Sequence, residues 1–414
     1  MLKIFIMEPF IFLILEIIIM KLLMLSSVRS LMTIYVGVLV IALGVGVVTP
    51  AIPLYARSLG ASYVEVGLLG TFYSLTYIVL AVLSGWLSDH VGRKVVITGS
   101  AVLCGFAAFL YLISSSVISL FLARVVEGGA WCSFWSALEA LVTELAWGRA
   151  GGAMGVCGMF YGVGYLIGSV LGGFLVSSYG FKATFLLYFC LSFMATVIFA
   201  NVKARGMRSY AGVRELYGVE VLGGRHGAIA LLTSYVLSFC LSILWIVMIT
   251  LFPVYVEDLR VNAFWIGVLF GAFWLGHIVF FVFAGRLSDT FGRENVLIPS
   301  MACLSIASML IVASSDFTIL FIVNLIIGCG LGSAYPVAVA LISDVTPSQR
   351  RGVMMGLFES LWGIGMLVGS TLGGWIAEFN VRGPYILCGV LCAVCTLTVV
   401  AYKLRTKSST VQPS

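Results

Sequence analysis

A ten-residue polar stretch, Gly85-Trp86-Leu87-Ser88-Asp89-His90-Val91-Gly92-Arg93-Lys94, closes one long apolar run and opens another. The chain repeats it two hundred positions later as Gly285-Arg286-Leu287-Ser288-Asp289-Thr290-Phe291-Gly292-Arg293-Glu294. Gly, Leu-Ser-Asp and Gly-Arg recur at one fixed offset, each time between hydrophobic segments. A repeat of that kind marks two related halves. The fold must therefore be built twice, with long apolar segments on either side of each polar loop.

Of the 414 residues, 61% are hydrophobic and only 10% are charged, whereas a soluble domain carries about 25% charged residues. A bilayer core roughly 30 Å thick needs about 20 mostly apolar residues per helix, and the chain supplies such runs repeatedly. Transmembrane barrels alternate apolar and polar residues. Stretches such as 95–114 and 385–402 are apolar on every side, which excludes a barrel and predicts an all-α polytopic membrane protein. The ten cysteines all fall inside apolar runs and read as small packing residues. Cys392 and Cys395 have CxxC spacing but lack a second pair or a nearby His, so no metal site is expected. The net charge of +6 is spread between hydrophobic segments instead of forming one basic face, so it reports topology and not a nucleic-acid partner.

Twelve spans are expected, beginning near residues 30, 64, 94, 117, 153, 183, 228, 263, 295, 317, 352 and 384. Residues 1–27 are apolar but carry Glu8, Pro9, Glu16 and Lys21. Acids near a span centre are costly to insert, so this stretch reads as an interfacial helix or as an extension upstream of a start at Met24 or Met32. A cytoplasmic amino terminus puts Arg29, Arg93, Lys94, Arg149, Lys203, Arg205, Arg208, Arg214, Arg225, Arg286, Arg293, Arg350, Arg351, Lys403, Arg405 and Lys407 inside. Only Arg57, Lys182, Arg260 and Arg382 remain outside. That asymmetry places both termini in the cytoplasm, with the chain in the plasma membrane. The expected division is a six-helix bundle at 28–202, a cytoplasmic linker at 203–227, a second bundle at 228–405 and a tail at 406–414.

The halves match beyond the polar loop. Pro53-Leu54-Tyr55 echoes Pro253-Val254-Tyr255, Gly67 echoes Gly267, and Thr143-Glu144 echoes Ser343-Asp344. One inserted residue then moves the offset to 201, and Gly164-xxx-Gly168-Ser169-xx-Gly172-Gly173 matches Gly365-xxx-Gly369-Ser370-xx-Gly373-Gly374. The polar loop resembles the signature between the second and third helices of the major facilitator superfamily, and the resemblance covers about residues 28–405. It implies two pseudo-symmetric six-helix bundles, with spans 3, 6, 9 and 12 facing lipid.

Physically, Gly85 and Gly285 would let two helices approach, Asp89 could accept backbone N–H groups at a helix start, and Gly92 and Gly292 would permit a sharp turn that aims Arg93 and Lys94 at the cytoplasm. The bland alternative is a short loop with positive-inside charges. The resemblance adds a cytoplasmic latch, a charge cluster of Asp89, Arg93 and Glu144 in the first half and Asp289, Arg293 and Asp344 in the second, holding the halves together in the outward-facing state. Glu294 stands where Lys94 does, which predicts a looser second latch. Gly164, Gly168 and Gly172, with Gly365, Gly369 and Gly373 in the second half, recur every four residues and form a flat helix face. They resemble an antiporter signature that normally has Pro where Ser169 and Ser370 stand, and ordinary small-residue packing reads equally well. Gly328-Cys329-Gly330-Leu331-Gly332 lies inside an apolar span without a Lys or strand context and reads as packing.

Ionisable residues inside spans are few: Arg124, Glu127 and Glu139 on span 4, His277 on span 8 and Glu359 on span 11. Such groups usually face a cavity or a partner. Arg124-Val125-Val126-Glu127-Gly128-Gly129 resembles the span 4 motif of proton-coupled members. Arg124 and Glu127 share one helical face. They either neutralise each other for insertion, or carry a proton that Glu127 takes on one side and releases on the other. His277 reads as a hydrogen-bonded packing residue or a coupling site, Glu359 as a lock or a coupling site, and Glu139 as part of the Glu144 cluster. Aromatic residues crowd the same spans: Trp131, Phe134, Trp135, Tyr161, Trp245, Trp274, Tyr335 and Trp362. Anchoring in lipid accounts for such residues, and if several face inward the cavity suits an aromatic or amphipathic solute. The drug exporters resembled here often carry an acid before Gly44, where this chain has Ile41-Ala42-Leu43, so Glu127 is expected to serve as the cation-binding carboxylate.

The reading is a secondary active transporter working by alternating access, proton-coupled and exporting a small organic solute, with the lipid bilayer and protons as its other partners. It is expected to be a monomer with no cofactor, metal or nucleic acid. Proton-coupled uptake or uniport of a metabolite is the alternative, and a non-transporting membrane sensor the alternative from another class. No nucleophile and base pair or metal-ligand spacing points to an enzyme.

Overall fold

The computed structural model describes residues 28–146, 150–202, 224–347 and 351–409. In chain order its helices are α1 (28–48), α2 (Ala51–Ser58), α3 (Tyr63–Val91), α4 (Arg93–Ile113), α5 (Val117–Leu145), α6 (Ala150–Tyr179), α7 (Phe181–Ala200), α8 (Gly224–Thr250), α9 (Phe252–Asp258), α10 (Ala263–Phe291), α11 (Arg293–Ala313), α12 (Phe317–Val345), α13 (Arg351–Phe379) and α14 (Gly383–Ser409). The apolar extension 1–27, the basic residues Arg149, Lys203, Arg205, Arg208, Arg214 and Arg350, most of the expected linker and the end of the tail lie outside the described residues.

Among the described residues, twelve segments are long and apolar enough to cross a membrane, the first formed by α1 and α2 together. Their starts agree with the expected ones, the largest differences being 30 against Val28, 183 against Phe181 and 295 against Arg293. Local chemistry explains the ends. Ser62 and Glu65 form a reciprocal capping box at the start of α3, and Asn262 and Asp316 accept from Trp265 N–H and Ile319 N–H to start α10 and α12. Gly92 and Gly292, at φ 104° and 93°, make turns into α4 and α11 that a side chain would strain.

The first span is broken where Pro50 removes a backbone donor, and the Thr49 hydroxyl turns back onto the Val45 carbonyl at 2.7 Å. The seventh repeats this. Thr250 bonds the Ile246 carbonyl at 2.5 Å, and α9 follows with Pro253 in its first turn. Breaks at matched depth in both halves are tolerated in a membrane only where the backbone lines protein or a cavity.

Within the first half α5 packs on α3 and α4, and α4 on α7. In the second α12 packs on α10 and α11, and α11 on α14. The halves meet chiefly through α6 against α10 and α3 against α13. Exposed apolar side chains cover α4, α7, α11 and α14, among them Phe106, Phe193, Ile306 and Leu397, which is the face that spans 3, 6, 9 and 12 present to lipid. All ten cysteines are free thiols, and Cys392 and Cys395 are buried in α14.

Candidate functional site

The most buried charged side chain among the described residues is Glu127, 1% exposed on α5. Gly128 beside it has no side chain, so α5 lies against the Tyr73 carbonyl of α3, and Arg124 is drawn over the Tyr73 ring, 4.4 Å from its centre. Arg124 Nη1 contacts Glu127 Oε2 at 2.5 Å, and its Nε donates to the Leu69 carbonyl at 3.2 Å. Tyr111 of α4 donates to the same Glu127 oxygen at 2.6 Å, while the Tyr188 hydroxyl of α7 is 3.5 Å from the other. One carboxylate oxygen is thus charge-paired and hydrogen-bonded, which helps a buried ion pair persist, while the other has only the longer Tyr188 contact. A cavity of about 20 Å³, lined by Arg124, Leu69, Thr49 and Pro53 of one half and Ile249 and Thr250 of the other, reaches Arg124 at the two helix breaks. That is room for a water molecule.

Beside this pair, an aromatic wall crosses from one half to the other. Trp135 meets Tyr161 edge-on at 5.0 Å, Tyr161 meets Trp274 at 5.7 Å, and Trp274 leads through Trp245 to Trp362 and Tyr335. Tyr165, not singled out in the sequence, lies 4.2 Å from Trp274. The rings expected to matter if they faced inward therefore form one surface at the centre. Glu359 accepts from Tyr335 at 2.7 Å on that surface. His277 stands among the rings of Trp245, Phe273, Trp274 and Phe281, and its Nδ1 has no partner among the described residues.

The end of the molecule away from the repeated loops is closed. A methyl added at Gly67 would come 2.5 Å from the Ser370 carbonyl, and one added at Gly267 2.5 Å from the Ser169 carbonyl. The positions that lack Pro in the glycine pattern are thus where each half touches the other. Tyr63 donates to Asp258, Arg57 lies 3.7 Å from Asp258, and the helix starts of α10 and α3 are capped across the seam by Ser177 at 2.9 Å and Glu378 at 3.3 Å. By contrast, a methyl at Gly85, Gly285, Gly155 or Gly356 would meet nothing within 4 Å. The halves are splayed at the loop end.

The Major Facilitator Superfamily profile matches residues 34–255 and 234–414. The chain belongs to the major facilitator superfamily. It is 25% identical over 373 residues to an uncharacterised MFS-type transporter of Methanocaldococcus jannaschii, covering 84% of this chain and 92% of that one. It is 22% identical to the quinolone resistance protein NorA of Staphylococcus aureus over 92% of this chain and 98% of that one. Crystal structures of the nucleoside transporter NupG and the human organic anion transporter MFSD10 share its fold. Their TM-scores are 0.74 and 0.66 at 11% and 16% identity, and each comparison covers 90% of this chain and 99% of the other. The protein is a multi-pass membrane transporter of this superfamily.

Against the superfamily pattern, each loop cluster closes within its own half. Arg93 pairs with Glu144, and Asp89 is 3.7 Å away. Arg293 pairs with Asp289, holds Asp344 through two N–H groups at 2.9 and 3.4 Å, and donates to Ser288 at 2.6 Å. Arg93 also donates to the Ala140 carbonyl at 3.2 Å, so each arginine holds both acids of its cluster and one further oxygen. Asp89 is not a helix cap: it lies in the last turn of α3, and Gly92 starts α4 with no side-chain cap. Gly85 and Gly285 are not contact points in this conformation, because the helices beside them have separated. Glu139, exposed on α5, makes no ion pair with Arg93 among the described residues. Gly164, Gly168 and Gly172 lie on the α1 backbone at Leu39, Leu43 and Val47, while Gly365 and Gly369 lie on Phe239 and Ile243 of α8. Gly328 and Gly332 lie on the α10 backbone at Phe273 and His277.

Tyr73, Tyr111 and Tyr188, the shell around Glu127, were missed. For Tyr111 and Tyr188 the available signal was a hydroxyl on an otherwise apolar span expected to face lipid.

Proposed function

We propose that the chain is a proton-coupled secondary transporter that exports a small organic solute, with Glu127 as the proton carrier. The observation that carries this is the Glu127 carboxylate, 1% exposed in mid-span yet paired to Arg124 beside a water-sized cavity at the junction of the halves. A proton arriving on Glu127 cancels its charge and frees Arg124 from the pair. Solute or solvent can then compete for the guanidinium, which couples occupancy of the wall to protonation. The two bundles, 28–202 and 228–405, would rock about this centre. With the loop end in the cytoplasm, as the basic residues suggest, this conformation opens inward. The name of NorA, a quinolone resistance protein, supports export of an organic compound.

The test is reconstitution in liposomes with a pH-sensitive dye inside and a panel of aromatic solutes outside. Solute addition should drive proton movement in the wild type and not in Glu127→Gln. Coupling unchanged in that variant, or solute flux without any proton flux, overturns the reading.

A further inference from the structure

Away from the centre, the closed far end holds an open vestibule of about 520 Å³. Arg57, Ser58 and Gly60 line it from the first half, and Glu257, Asp258 and Arg260 from the second. These walls are counterparts in the internal repeat: Arg57-Ser58-Leu59-Gly60 lies at the end of α2, and Glu257-Asp258-Leu259-Arg260 at the end of α9. Both make the same turn. Gly60 N–H bonds the Arg57 carbonyl at 2.9 Å and Ala61 N–H the Ala56 carbonyl at 3.0 Å. In the second half Arg260 N–H bonds the Glu257 carbonyl at 2.8 Å and Val261 N–H the Val256 carbonyl at 3.4 Å.

A turn of this kind puts one residue past the helix end in the left-handed region, where Gly is the usual occupant. Gly60 is such a residue, at φ 90°. Arg260 takes the same place at φ 65°, and it is the one non-glycine residue with a positive φ among the described residues. A side chain strains that conformation, and strain held by the surrounding structure points to a use for the residue that bears it.

The charges around the vestibule divide into two kinds. Arg57 is committed: its Nη1 donates to the Ala61 carbonyl at 2.8 Å, its guanidinium lies 5.0 Å over the Tyr63 ring, and Asp258 is 3.7 Å away. Asp258 in turn accepts from Tyr63. Glu257 and Arg260 form no ion pair among the described residues. In a continuing helix these two, three positions apart, would be neighbours. The left-handed turn breaks that register, so a carboxylate and a guanidinium face one cavity without cancelling each other.

We propose that the vestibule is a second binding site, apart from the central one, for a small zwitterion whose ammonium group pairs with Glu257 and whose oxyanion is held by Arg260. The guanidinium fork suits a carboxylate or a phosphate. Both halves line the cavity, so an occupant that also touches the Arg57 and Ser58 wall favours the closed far end over the parted one. A zwitterion on that side then holds the protein in the conformation described here.

The experiment measures equilibrium binding of radiolabelled β-alanine to the purified protein in phosphatidylglycerol nanodiscs, whose headgroups carry no ammonium. Unlabelled propionate and propylamine, each keeping one of the two charges, compete against it. Both should compete at least about tenfold more weakly than β-alanine, and Glu257→Gln and Arg260→Gly should each weaken β-alanine by about tenfold, as expected for loss of a charged contact. Arg260→Gly installs the residue that the first half already uses, so its melting temperature should match or exceed that of the wild type, and lost binding there cannot be blamed on misfolding. Absence of β-alanine binding, equal competition by propionate or propylamine, or unchanged affinity in both variants overturns the proposal. A lower melting temperature in Arg260→Gly counts against the strained turn. Nanodiscs containing phosphatidylethanolamine separate the two sources of a zwitterion: a weaker β-alanine titration there assigns the site to a lipid headgroup, and an unchanged one to a free solute. Saturating β-alanine should shorten the distance between spin labels at Lys182 and Arg382, and binding without that change overturns the link to closure.

Discussion

Tyr111 of α4 donates a 2.6 Å hydrogen bond to the Glu127 carboxylate of α5. A helix whose other faces meet lipid thus supplies a ligand to the most buried acid in the molecule. With Arg124 on the same oxygen, the carboxylate has one guanidinium and one phenol to satisfy it. Removing either member of such a buried ion pair is expected to cost about 3–5 kcal/mol, because the charge left behind has no partner. Arg124→Leu should therefore lower the thermal stability of the detergent-solubilised protein markedly. The double variant Arg124→Leu, Glu127→Leu should recover most of it while remaining inactive in transport.

The far-end seam gives a second expectation. Backbone carbonyls of Ser370 and Ser169 sit where a methyl on Gly67 or Gly267 would go, and backbone cannot swing aside as a side chain can. Gly67→Ala and Gly267→Ala should each disfavour the closed far end by about 1–3 kcal/mol. Spin labels at Lys182, in the first turn of α7, and Arg382, in the turn before α14, should show a longer distance in both variants. An unchanged distance distribution would mean that the seam relaxes around the methyl.

Proton dependence at the far end follows from Glu257 on α9, beyond the spans. Burial pushes its carboxyl above the ordinary range, the neighbouring Asp258 adds to this, and Arg57 opposes it. A carboxyl whose value is raised in the closed state binds its proton more tightly there than when solvated. Closure is then favoured below the ordinary glutamate range and weakens as pH rises through the interval up to the raised value. The same spin labels should report more opening with increasing pH in that window, and Glu257→Gln should flatten the response.

The loop clusters can be ranked by contact. Asp289 touches Arg293 directly, whereas Asp89 is 3.7 Å from Arg93, whose main partner is Glu144. Asp289→Asn should impair transport more than Asp89→Asn at equal expression. Glu144→Gln should be the most damaging change in the first cluster. A larger loss in Asp89→Asn would restore the order suggested by Lys94 and Glu294.

Spans, their starts and the two-fold repeat were legible in the sequence because each rests on local composition: twenty apolar residues, a glycine, a proline. Arg124 and Glu127 were equally visible, since charge inside an apolar run has no bland substitute. What surrounds them was not. Tyr111 and Tyr188 lie on spans whose hydropathy hides a hydroxyl, and they come together only through the packing of α4 on α5 and α7. Proximity along the chain groups Glu139 with Glu144, but of the two only Glu144 pairs with Arg93 among the described residues. The relative strength of the loop clusters is hidden in the sequence for a related reason. Net charge per loop says nothing of how many N–H groups one arginine can aim at one carboxylate.

The crossed caps at the far end bear on how easily such a molecule can rock. Val64 N–H rests on Glu378 and Phe264 N–H on Ser177, each reaching from the opposite half. When the seam parts, both helix tips emerge into solvent, and water supplies acceptors nearly as good as the ones withdrawn. The bonds are exchanged and not forfeited, so parting the seam loses little at these two caps.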